Sequence, residues 1–182
     1  MPSLAGRNAV LFLVLVAIVA AAFAMALAMG SADIGFADAM RALWGAAPDR
    51  VQSLVNELRL PRALTAFAVG GLLAIAGVLM QVLLRNPLAE PYILGSSGGA
   101  AVAALITMSI GLGQIVVDLA AFGGALAATL LVFAIARGTG SWTPTRLLLT
   151  GIVLAAGFSA ATTLILALSP EQNLRGMLFW LM

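Results

Sequence analysis

An all-α bundle of membrane-crossing helices is the fold class this sequence predicts, and three observations predict it. The 182 residues are 63% hydrophobic and 9% charged, with a mean hydropathy of +1.12; soluble domains carry about 25% charged residues. The apolar residues gather into long runs, with glycine, proline and arginine concentrated between them. Five such runs approach the ~20 residues that a helix needs to cross a bilayer. They cover about 8–30, 63–84, 94–111, 115–136 and 147–168.

Composition also removes function classes. All nine basic residues are arginine, and lysine, histidine and cysteine are absent. Without lysine the chain cannot form a Walker A phosphate loop. Without histidine or cysteine there is no usual zinc site, no Ser-His-Asp triad and no thiolate nucleophile. The sequence predicts no catalytic residues, no metal ligands and no cofactor. The net charge is only +2 and the arginines are scattered between apolar runs, so nucleic acid is not a predicted partner.

The first run, Asn8 to Gly30, follows Arg7. Cleavage-like triplets at Ala24-Met25-Ala26 and Ala26-Leu27-Ala28 raise a signal peptide as the alternative. Signal h-regions are usually about 7–15 residues, and this longer run favours a retained span. Ser31 to Arg62 is the one long polar segment. Phe36, Met40, Leu43 and Trp44 recur in it at helical spacing, and Asp38 and Arg41 lie three apart. A short amphipathic helix at the membrane surface, with Trp44 at the interface, competes there with a solvated loop.

Ala63 to Leu84 is the second span, with Gly70, Ala74 and Gly77 small enough for close helix approach. Apart from the Thr65 hydroxyl, Gln81 is its lone polar side chain, expected to face the bundle interior, because polar groups in hydrocarbon are costly. Arg85 ends the run, and Asn86-Pro87-Leu88-Ala89-Glu90-Pro91 follows. Proline removes a backbone donor and disfavours helix before it, so the helix stops near Leu84. Leu94-Gly95-Ser96-Ser97-Gly98-Gly99 then opens the third span. Irregular backbone beside a membrane is tolerated where protein buries it or where it lines a watery cavity. Gln81, Asn86, Pro87, Pro91, Gly95 and Ser96 are therefore candidates for a translocation path or an inter-helix joint, against a plain connecting loop.

Gly111-Leu112-Gly113 reads as a tight turn. The fourth span carries Asp118 near one end, and Gly123, Gly124 and Ala128 for close packing. Arg137 to Arg146 is a polar loop. The fifth span carries Thr150, Ser159, Thr162 and Thr163, whose hydroxyls are expected to bond mostly to their own backbone. Ser169-Pro170-Glu171 starts a last short helix.

The stretch from Arg59 to Gly99 carries an ordered set of motifs. They are Arg59-Leu60-Pro61-Arg62, Gly70-Gly71, Gly77, Gln81, Asn86 to Pro91, Leu94-Gly95 and Gly99-Ala100. Thr145 to Gly151 and Arg175 to Met182 extend the pattern. Together they resemble the FecCD-type permeases of ABC importers, which carry iron-siderophores, haem or cobalamin into bacteria. Members have about ten spans, so the resemblance implies the N-terminal half of a ten-span permease fold, from a truncated reading frame or a fragment. It implies a multi-pass protein of the bacterial inner membrane that is not itself an enzyme. Its implied partners are the lipid bilayer, a second permease copy (as homodimer or paired permease), cytoplasmic ATPase subunits and a periplasmic substrate-binding protein. It implies that Arg59 and Arg62 dock carboxylates of that binding protein. The position of both arginines at the start of a helix, where the dipole opposes them, also suggests an acidic partner; anchoring to lipid headgroups is the alternative. Loop charges leave the orientation nearly tied, and the resemblance implies a cytoplasmic N-terminus. A proton-coupled carrier or small channel and a membrane-embedded enzyme are the rival functions.

Overall fold

The computed structural model describes residues 4–30, 32, 34–138, 140 and 143–182. Ser31 and part of the Arg137–Arg146 loop lie outside the described residues. The chain divides into two compact units, Met1–Leu72 and Leu73–Met182, and the boundary falls inside a helix.

In the first unit, α1 (Leu4–Ala28) is the first apolar run. Its large side chains, among them Phe12, Leu15 and Ile18, are exposed, a surface suited to acyl chains or further protein. The amphipathic helix α2 (Phe36–Leu43) forms, with Asp38 and Arg41 paired at 3.4 Å. Its buried side is small, however. Ala39 and Ala42 pack on Val55 with no exposed surface. Phe36 and Trp44 stay exposed, Trp44 at 87%, so the apolar stripe read from the sequence is divided between a local core and an outer face.

The segment leading to the second span corrects an expectation. Arg59 and Arg62 do not start a helix. Helix α3 (Asp49–Ser53) runs through a π-helical turn (Leu54–Arg59) into α4 (Leu60–Leu84). The result is one apolar helical stretch of 36 residues, about 54 Å long at 1.5 Å per residue. That exceeds the ~30 Å hydrocarbon core, so the stretch projects beyond it. The argument from an opposing N-terminal dipole therefore fails. Pro61 explains the π-turn: its ring would clash with the carbonyl of Glu57 in a regular α-turn, and the wider turn relieves that clash.

The second unit is built round the break after Leu84. Arg85 takes a left-handed conformation, φ +50°. The Asn86 N–H bonds to the Gln81 carbonyl at 3.1 Å and the Arg85 N–H to that of Val82 at 3.3 Å. This is a Schellman closure with arginine where glycine is usual. A 3-10 turn (Pro91–Leu94) and Gly95, φ +67°, lead into α5 (Ser96–Ser109). Helices α6 (Gln114–Arg137), α7 (Pro144–Leu168) and α8 (Glu171–Leu181) complete the unit.

Among the described residues, four helical stretches are long and apolar enough to cross a membrane, and α5 is shorter. Its 14 residues rise about 21 Å. The expected span at 94–111 is thus only partly helical. Outside α5 the run consists of Leu94 and Gly95, both buried, before the helix and Ile110 and Gly111, both exposed, after it.

Candidate functional site

The irregular segment from Arg85 to Gly95 is an inter-helix joint. Ala89 and Leu94 from the joint form one core with Met80 and Leu84 of α4, Val132 and Ala136 of α6, and Leu147 of α7. Val132 and Leu147 are fully buried. The joint thus sits at the level of the last two turns of α6 and the first of α7. Its polar backbone is satisfied locally. The Asn86 Oδ1 accepts from the Leu88 N–H at 2.9 Å, and the Ala89 N–H bonds to the Asn86 carbonyl at 3.1 Å. Gln81 donates from Nε2 to the Pro87 carbonyl at 3.0 Å. Gln81 is exposed in this structure and braces the joint from the helix end. Pro91 opens the 3-10 turn, and Pro87 lies on the exposed side.

The joint is held from the other side by α7. A Cβ on Gly151 would collide with the Ile93 carbonyl oxygen, and one on Gly98 would lie 2.7 Å from the Phe158 Cβ. Residues 93 to 98 therefore climb alongside α7 in its own direction. Helix α5 runs antiparallel to α6, and the two backbones meet at Gly99 and Gly124. Gly124 and Ala128 serve the close packing expected of them, whereas a Cβ on Gly123 would meet nothing within 4 Å. Gly70 and Gly77 likewise have open space around them.

Gly95 at the end of the joint, Ser97 of α5, Ser159, Thr162 and Thr163 of α7, and Trp180 of α8 line a groove of about 570 Å³. Ser96 begins α5 and is half-buried. The Thr163 hydroxyl donates to the Ser159 carbonyl at 3.0 Å, as membrane hydroxyls commonly do. Thr107 and Thr129 bond to the carbonyls of Ala103 and Ala125 in the same way. Asp118 accepts from Gln114 at 2.7 Å on the first turns of α6.

The two arginines either side of Pro61, Arg59 at the end of the π-turn and Arg62 in the first turn of α4, differ in their surroundings. Arg59 is half-buried and donates to three backbone carbonyls: Leu27 and Ala28, both at 2.8 Å, and Ala32 at 2.9 Å. Arg62 is exposed, on the edge of a cleft of about 330 Å³ that Met29, Gly30 and Leu58 also line. Sequence reasoning missed Asn56, which donates to the Ala42 carbonyl at 3.2 Å. Its spacing of three from Arg59 placed both on one helix face, a signal that was available.

An all-helical protein with several membrane-length helices, an irregular joint after its second long helix and an exposed arginine near that helix's other end has the form of a transporter subunit. The chain belongs to the FecCD transport family, which matches residues 13–182. It is 38% identical to the achromobactin transport system permease protein CbrC of Dickeya dadantii, over 97% of this chain and 50% of that protein. It is 42% identical to the vitamin B12 import system permease protein BtuC of Serratia proteamaculans, over 74% of this chain and 41% of that protein. Its fold resembles that of a solved ABC transporter described as of the metal-chelate type, in an inward-facing conformation. That likeness has a TM-score of 0.76 and 26% identity, and covers 93% of this chain and 52% of the other. The chain spans about half the length of the curated relatives it matches.

Proposed function

We propose that this chain supplies the first half of the permease of a bacterial ABC importer in the inner membrane. The observation that carries the reading is the family match from residue 13 to 182, joined to relatives named for achromobactin and vitamin B12 transport. The cargo would be a ferric siderophore, haem or cobalamin. The permease would do no covalent chemistry. Separate ATPase subunits would hydrolyse ATP on the cytoplasmic side, a second permease copy would complete the path, and a periplasmic binding protein would deliver the cargo. The groove lined by Ser97, Ser159 and Thr162 and the rigid joint beside it support a path between helices. Arg62 is the proposed docking residue: its guanidinium is exposed, and an arginine fork pairs with a carboxylate through two hydrogen bonds.

Uptake into proteoliposomes containing the full-length permease tests this. Uptake of a ferric siderophore or cobalamin is expected to require ATP, the ATPase and the binding protein. Arg62→Glu should weaken capture of the binding protein about tenfold or more, with normal membrane insertion. A carboxylate-to-arginine swap on the binding protein should restore part of it. Uptake that persists without ATP and collapses with the proton gradient would instead establish a proton-coupled carrier. Turnover of a lipid without the ATPase would establish an enzyme.

A further inference from the structure

Three arginines meet at the joint end of the second unit. One buried core holds Leu84, Ala136 and Leu147 together, and Arg85, Arg137 and Arg146 are their immediate neighbours in the chain. All three arginines are exposed, and none of them is in an ion pair among the described residues. Glu90, beside Ala89, is the one acidic residue next in sequence to a member of that core.

A second, independent observation places the Arg146 side chain. Gly138 follows the last residue of α6 at φ +50°, and a Cβ there would lie 2.9 Å from Arg146 Nη2. The guanidinium is therefore laid against the backbone at the end of α6, one residue beyond Arg137. Helix ends account for part of this gathering. The C-terminus of α6 carries about half a negative charge, and α4 likewise ends at Leu84, beside Arg85. That is too little for three full positive charges. Arg146 also stands in the first turn of α7, whose positive end opposes it. This end of the unit is left with positive charge that the protein does not neutralise.

We propose that Arg85, Arg137 and Arg146 form a binding site for the phosphate of an anionic phospholipid headgroup. The level of the three in the fold favours a lipid over a protein. Helices α6 and α7 have 24 and 25 residues, or about 36–38 Å at 1.5 Å per residue. A helix of that length crosses the ~30 Å hydrocarbon core and ends within the headgroup layer. Arginines at such ends stand at the depth of the lipid phosphates, and a guanidinium pairs with phosphate through two hydrogen bonds. Leu88 and Tyr92, both exposed on the joint, suit the same boundary, where tyrosine is enriched. The three arginines come from three separate elements, so the site exists only in the folded unit. Its assignment to the cytoplasmic leaflet rests on the proposed function; the site itself does not.

Titration of the detergent-solubilised full-length protein with phosphatidylglycerol tests this, with bound lipid counted by native mass spectrometry. Each of Arg85→Gln, Arg137→Gln and Arg146→Gln should weaken the tightest-bound phosphatidylglycerol about fivefold, and the triple variant should lose it. Where the triple variant does not accumulate, the three single variants give the reading. Gly138→Ala changes no charge but displaces the Arg146 guanidinium, so it should also weaken binding. Arg41→Gln/Arg50→Gln removes two charges elsewhere in the chain and should leave binding unchanged. Phosphatidylcholine, with no net charge, should bind no more tightly to the wild type than to the triple variant. Equal phosphatidylglycerol affinity in the wild type and the single variants would overturn the proposal. Full competition by millimolar inorganic phosphate would assign the site to a free anion and overturn its assignment to lipid. Loss of ATPase binding in the triple variant, with phosphatidylglycerol affinity intact, would give the patch to a protein partner and equally overturn it. Expected lipid binding in a protein that fails to import would refute the proposed function and leave the lipid site standing.

Discussion

Gly151→Ala is expected to destabilise the full-length protein by about 1–3 kcal/mol, the usual cost of overpacking a well-filled site, and to impair transport with it. The added methyl would meet the Ile93 carbonyl oxygen, a backbone atom with no rotamer to change. Ile93 cannot retreat freely, because its neighbour Leu94 is locked in the core with Val132, Ala136 and Leu147. The strain must therefore push the joint off α7 or tilt α7 itself. Gly157→Ala, on the same helix, is the matched control, since a Cβ there meets nothing within 4 Å. Alanine is favoured over glycine in a helix interior by roughly 0.5–1 kcal/mol, so this variant should be neutral or slightly more stable. The same substitution six residues apart should thus have opposite signs, read by thermal unfolding in detergent.

Gly99→Ala and Gly124→Ala are expected to have comparable costs, each about 1–3 kcal/mol. A Cβ on Gly99 would lie 2.5 Å from the Gly124 carbonyl oxygen and would also collide with the Ala128 methyl. A Cβ on Gly124 would lie 2.6 Å from the Ala103 Cβ and would collide with the Gly99 carbonyl oxygen. Each glycine is the space that the other's backbone occupies, as small residues allow between membrane helices. Once one substitution has parted the helices the second costs less, so the double variant should fall short of the sum. Gly123→Ala, one residue away, should have no such cost. Equal losses at positions 123 and 124 would show that α5 does not meet α6 through this seam.

The long helices were legible because apolar runs between polar breaks are the dominant signal in such a chain. The break after Leu84 was legible from Pro87 and Pro91, although its closure was not. Arg85 occupies a left-handed position where glycine is usual, and nothing in an arginine announces that. The run at 94–111 was read as a span with a short apolar part, and its helix is indeed only 14 residues long, Ser96–Ser109. Around Arg59 the sequence misled in a physical way. A proline between two arginines at the edge of an apolar run looks like a helix start, whereas here a π-turn precedes Pro61 and the helix runs on through it. The capping by Arg59 and Asn56 joins residues 14 to 32 positions apart, a range that local spacing does not reveal. Gln81 was read as facing the bundle interior, whereas its amide is turned to the joint.

Under the proposed function, Arg62 would lie on the side from which cargo arrives and the joint on the side of the ATPase, at opposite ends of α4. The chain contains no cysteine, so single cysteines report without background. Labelling of intact cells with a membrane-impermeant maleimide is the direct measurement, with cysteines placed in turn at Ala47 and Leu88 of the full-length protein. Ala47→Cys is expected to label from outside, and Leu88→Cys only after the membrane is permeabilised. Labelling of Leu88→Cys in intact cells, with Ala47→Cys silent, would contradict it.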